Sequence, residues 1–189
     1  ASYPKHERDA RTRGIPILGS GRVFPISQDE IEIAAFPLPD HWVRIAGLDF
    51  GWDHPSAAAA LAWDRDSDVI YVYDCHRQRE QTPAMFAQRV KGWGAIPFAW
   101  PHDGLQHEKG SGEQLAKQYK DQGLAMLPLR ATFEDGTSFV EPGITEILDR
   151  MQSGRWRVFS HLNDYWEEHN LYHRKEGLIV KKGDDIMSA

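Results

Sequence analysis

The chain has 189 residues, 41% hydrophobic and 26% charged, with a formal net charge of −6. That length builds one domain with its own core, and no run nears the roughly 18 apolar residues of a membrane helix. The acidic balance argues against a basic nucleic-acid coat protein, but not against a site that collects carboxylates around divalent metals. A single cysteine, Cys75, excludes a disulfide framework and a multi-cysteine metal site, and fits a reducing compartment. The opening Ala1-Ser2-Tyr3-Pro4-Lys5 has no apolar segment of a secretory signal and no initiator methionine. The chain is therefore expected to be a piece of a longer protein.

Residues 1–40 read as a linker or arm. Lys5 to Arg13 is charged and suits one short helix ended by Gly14; Pro16, Gly19, Gly21, Pro25, Pro37 and Pro39 then favour extended chain and turns. The compact domain is expected over 41–189. Val43 to Phe50 and Ala57 to Trp63 read as strands, and Asp66-Ser67-Asp68 as the turn into a third, Val69 to Tyr73. Their short links imply antiparallel neighbours. Thr82 as N-cap and Pro83 at the first helical position open a helix with Met85, Phe86, Val90 and Trp93 on its apolar side. Ile96 to Trp100 is a fourth strand, parallel to the first. Ser111 with Gln114 reads as a capping box for a helix ended by Gly123. Ala125 to Leu127 is a short strand, Glu141 to Gln152 a helix ended by Gly154, and Trp156 to Phe159 a further strand or edge segment. Asn163 to Arg174 reads as helix, Leu178 to Val180 as a hairpin arm, and a last helix opens at Asp184 and is cut off at Ala189. The order βββαβαβα, three antiparallel strands followed by helix-linked parallel ones, is that of an RNase H-like α/β fold with a mixed central sheet.

The chemistry rests on carboxylates. Asp49 lies in the first strand, in Ala46-Gly47-Leu48-Asp49-Phe50-Gly51. A buried strand aspartate is costly unless paired or metal-bound, and the flanking glycines allow close approach; a strand-end aspartate capping a turn is the plainer reading. Asp103, in Trp100-Pro101-His102-Asp103-Gly104, follows the fourth strand, where open α/β sheets place their sites, although Asp-Gly is also a good turn. Parallel first and fourth strands would set Asp49 and Asp103 side by side. Asp184 and Asp185 open the final helix, as ordinary caps or as the third member of the set. Converging carboxylates suit a pair of hard cations such as Mg²⁺, spaced about 4 Å apart for phosphodiester hydrolysis. Asp53 and His54 are placed to tune that site or to make a turn, and His102 to support it. His107 and Lys109, before a helix N-terminus, read as a DNA-backbone contact or a plain loop. Lys181 and Lys182 flank the last helix and could track phosphates, or simply be solvated. Trp156, Phe159, Tyr165, Trp166 and Tyr172 read as core.

Taken in order, the segments Tyr3-Pro4, His6-Glu7-Arg8, Gly19 to Pro25, Asp49 to Pro55, Trp100 to Gly104, Tyr172-His173-Arg174 and Asp184 to Ala189 resemble the C-terminal nuclease domain of the terminase large subunit of headful-packaging tailed phages. The resemblance implies an RNase H-like endonuclease that cuts concatemeric double-stranded viral DNA with two Mg²⁺ or Mn²⁺ ions. It implies metal-binding acids at Asp49, Asp103 and the Asp184–Asp185 pair, with Asp185 preferred. It also implies an ATPase motor upstream, portal and small terminase subunit as partners, no membrane, and the cytoplasm of an infected bacterium. A resolvase or transposase core would share the acids but not the lead-in or the Trp100 to Gly104 segment. An ATP-binding domain of the actin and sugar-kinase type would need a second phosphate loop. A non-catalytic docking module would leave Asp49 without an enzymatic role.

Overall fold

A computed structural model describes residues 21–105, 114–132 and 140–189, without the side chain of Asp103. The expected helix at Lys5 to Arg13, the cap at Ser111, and the candidates His107 and Lys109 lie outside the described residues. The elements in chain order are α1 (Gln28–Ile31), β1 (Glu32–Ile33), β2 (Val43–Asp49), β3 (Ser56–Asp64), β4 (Val69–Gln78), α2 (Pro83–Val90), β5 (Pro97–Ala99), α3 (Leu115–Asp121) and β6 (Ala125–Met126). They continue with α4 (Val140–Gln152), β7 (Trp156–Phe159), α5 (Asn163–Leu171), β8 (Arg174–Lys175), β9 (Leu178–Ile179) and α6 (Asp185–Ser188). A seven-stranded sheet runs β1-β7-β4-β3-β2-β5-β6. β2, β3 and β4 are antiparallel neighbours, and β5 lies parallel to β2, as the strand spacing leads one to expect. None of the described helices is long and apolar enough to cross a membrane.

Strand alternation sends side chains to two cores. Ala46, Leu48, Ala58 and Ala60 face Phe86 and Val90 of α2 and Tyr119 of α3. Ala57, Ala59, Val72 and Val158 face Ile144 and Met151 of α4, Tyr165 and Trp166 of α5, and Ile186 of α6. β3 is buried on both sides along Ala57 to Ala60, and its small side chains let both helical layers come close. Thr82 caps α2, its hydroxyl accepting from the Met85 N–H at 3.3 Å, with Pro83 behind it. Thr82→Ala is expected to cost about 1 kcal/mol in urea unfolding; an unmoved midpoint would contradict the cap.

Three expectations change. The boundary at residue 41 does not mark where packing starts. Val23, Phe24 and Ile31 are buried, the Val23 N–H donates to the Tyr172 carbonyl at 3.0 Å, and β1 pairs with β7. Apolar residues scattered among prolines have no period of their own; they find partners only across the chain. α5 ends at Leu171, short of Arg174, because Tyr172 turns extended and the Arg174 N–H donates to the Gly21 carbonyl at 2.6 Å. The first described residue of α3 is Leu115, with Gln114 at its N-cap position. Of the two readings of Trp156 to Phe159, the strand is the one found: β7 lies between β4 and β1.

Candidate metal centre

Asp49 ends β2, opposite Ala57, on the face that carries Gly47. Just beyond it the chain doubles back. The Ser56 hydroxyl donates to the Gly51 carbonyl at 2.7 Å and accepts from the Gly51 N–H at 3.2 Å. A Cβ on Gly51 would run into the Pro55 carbonyl and stand 2.5 Å from that of His54. Glycine thus permits the tight loop that returns His54 to the end of β2. A Cβ on Gly47 would lie 2.5 Å from the backbone of Ala189, so glycine also lets the end of the α6 segment rest on β2.

α6 opens with Asp185, 7% exposed. His54 Nδ1 stands 3.3 Å from Asp185 Oδ1, with its side chain 58% exposed, and 3.1 Å from the Pro55 carbonyl. One ligand atom each from Asp49, His54 and Asp185 lies within 4.8 Å of the others. A divalent ion bonded to oxygen and nitrogen at about 2.0–2.2 Å fits among donors so spaced. Two carboxylates and an imidazole are a donor set for Mn²⁺ and related ions as much as for Mg²⁺.

Asp184 lines the same cleft but turns to Ser188, whose hydroxyl donates to it at 3.3 Å; burial pushes its carboxyl above the usual range. Asp103 lies in the turn His102–Leu105 after β5, the parallel neighbour of β2. Gly104 fits that turn against Trp100 and Phe50, whose rings a Cβ would meet at 2.5 and 2.8 Å. His102 and Asp53 are exposed and outside the cluster. Asp53 lines a neighbouring cleft of about 720 Å³ with Trp52 and Tyr119. His54, not Asp53, thus joins the acids. Its signal in the sequence was the glycine at 51, which folds the next residues back.

The cluster sits in a cleft of about 590 Å³ that Arg77, Arg79, Lys181 and Lys182 also line. Lys181 and Lys182 are where the sequence suggested phosphate contacts; Arg79 is an exposed addition. Arg77 pairs with Asp164, Glu167 and Glu168 of α5. Glu168 is 1% exposed, and burial pushes its carboxyl up to about 7 against the pull of Arg77 and two backbone amides.

A family model described as the terminase RNaseH-like domain matches residues 46–189. The chain belongs to that family. It is 51% identical over its full length to the terminase large subunit of Salmonella phage P22, and spans 38% of that protein. It is similar to the structure of the P22 large terminase nuclease domain, with 49% identity and a TM-score of 0.83 over 90% of this chain and 89% of that one. The g2p large terminase nuclease domain of bacteriophage SPP1 with bound Mn gives a TM-score of 0.53 at 15% identity, covering 82% and 88% of the two chains, a likeness of fold. The mixed sheet of this terminase domain is accordingly RNase H-like, and Asp49, His54 and Asp185 meet where β2 ends.

Proposed function

We propose that this terminase domain is the metal-dependent endonuclease of a DNA-packaging machine. Its substrate is concatemeric double-stranded viral DNA, cut at initiation and when the head is full. The observation that carries the reading is the meeting of Asp49, His54 and Asp185 on the floor of a cleft with a basic rim. Asp49, Asp185 and, from the adjoining strand end, Asp103 would hold two Mg²⁺ or Mn²⁺ ions, with His54 and Asp184 beside them. The SPP1 relative carries Mn. Bound there, the metal would make a hydroxide available near neutral pH and would offset charge on the departing 3′ oxygen.

The protein's own part is placement. Asp49 on the sheet and Asp185 on α6 fix donors on two elements, while Lys181, Lys182 and Arg79, which line the same cleft, would meet the phosphates flanking the scissile bond. Contacts of that kind carry no sequence information, so cutting is expected to depend little on sequence. In the full subunit an ATPase motor would precede this domain, with portal and small subunit as partners in the host cytoplasm.

The test is plasmid cleavage by the 189-residue chain with Mg²⁺ or Mn²⁺. Linear and nicked products that vanish with EDTA support the reading. No cutting under either metal favours a docking module instead. Lys181→Ala with Lys182→Ala is expected to lower the salt slope of DNA binding by about 2, one per lost phosphate contact. Filter binding with Ca²⁺ in place of Mg²⁺ checks this, and an unchanged slope would place the DNA elsewhere.

A further inference from the structure

α6 holds a candidate metal ligand, yet has four residues and no side-chain cap from Asp184. A helix that short does not sustain itself, and its first N–H groups need acceptors. They find one across the fold. Glu168 Oε2 accepts from the Ile186 N–H at 2.7 Å and from the Met187 N–H at 3.2 Å. Its other oxygen, Oε1, accepts from Arg77 Nη1 at 2.8 Å. Arg77 belongs to β4 and is pinned from α5 by Asp164 and Glu167 as well. Both oxygens of Glu168 are therefore loaded, one by the helix that starts at Asp185 and one by the sheet. When ionised, Glu168 places its negative charge at the positive end of the helix it holds. Glu168 itself is not in the ligand cluster and is sealed from the cleft.

We propose that Glu168 is the positioning residue of the metal centre, fixing Asp185 relative to Asp49 by tying the start of α6 to Arg77 on β4. This rests on the metal-site reading above. Loss of the tie lets α6 shift while Asp185 keeps its chemistry, so the deficit should lie in metal affinity. Glu168→Gln has a single carbonyl oxygen and cannot serve both anchors. Glu168→Asp keeps the charge and shortens the reach.

The test is Mn²⁺ titration calorimetry on the full chain, with thermal melts of each variant beside it. Glu168→Gln is expected to melt cooperatively and to bind Mn²⁺ about 10–100-fold more weakly, as other removals of groups that orient ligands do. Glu168→Asp, the second variant should the amide not fold, is expected to weaken binding in the same direction. Excess Mn²⁺ should restore DNA cleavage in both, and should not restore it in Asp185→Ala. A folded variant with wild-type Mn²⁺ affinity, or one whose cleavage excess metal leaves unrestored, overturns the proposal. Asp49→Asn is run in parallel: if it binds Mn²⁺ like wild type, the metal-site reading fails, and the role of Glu168 with it.

Discussion

Asp49→Ala and Asp185→Ala are each expected to slow metal-dependent cleavage by about 10³-fold or more, since a catalytic metal contributes several kcal/mol to the transition state. The two carboxylates come from different elements, β2 and α6, and among the described residues the third donor of the cluster is His54, not another carboxylate. Asp184→Ala should behave otherwise. Its carboxyl receives the Ser188 hydroxyl and lies outside the cluster. Its loss is expected to cost less than about 10-fold, close to the effect of removing a group that supports a ligand. Plasmid linearisation rates at saturating Mg²⁺ separate the three. Asp184→Ala as damaged as Asp185→Ala would mean that both carboxylates of the pair hold metal.

Acid should erode stability through His169. Its ring is fully buried, stacked near Phe24 and Tyr165 with centroids 6.3 and 6.1 Å away. Arg22 Nη2 lies 3.2 Å from its Nδ1. Burial, and then the charge of Arg22, push the imidazole down to about 3. The unfolded chain binds the proton near pH 6.5. The neutral ring therefore contributes stability above that pH, and the contribution is lost as pH falls toward 3, at up to about 1.4 kcal/mol per unit. Glu168 works in the opposite sense: its raised carboxyl takes up a proton in the fold first, so it favours the folded state as pH falls through 7. The wild-type profile should thus be flatter than His169 alone would give. The gap in urea unfolding free energy between wild type and His169→Gln isolates the histidine. It is expected to shrink by about 2 kcal/mol between pH 7 and pH 5. A constant gap would mean that His169 titrates as it does in the unfolded chain.

What the sequence made legible was local. Alternation in Val43 to Asp49 and Val69 to Tyr73, the Thr82-Pro83 start of α2, and the glycines at 123 and 154, both with positive φ, depend on near neighbours. The acid at the end of β2 stood out because a strand interior rarely tolerates one. The choice between Asp184 and Asp185 needed the direction in which α6 enters, which no spacing encodes. Glu168 gave no signal, because it stands in the polar stretch Glu167 to Asn170, beside the aromatics Tyr165 and Trp166. Its partners, Ile186 and Arg77, are 18 and 91 residues away. The packed segment after Gly21 was hidden for the same reason, since its acceptor is Tyr172.

Anomalous scattering from crystals soaked in Mn²⁺ tests the central claim most directly. The expected result is a manganese peak bonded at about 2.2 Å to carboxylate oxygens of Asp49 and Asp185, with the His54 ring beside it and Asp184 turned away. Manganese ordered elsewhere on the chain, with Asp49 and Asp185 bare, would contradict it.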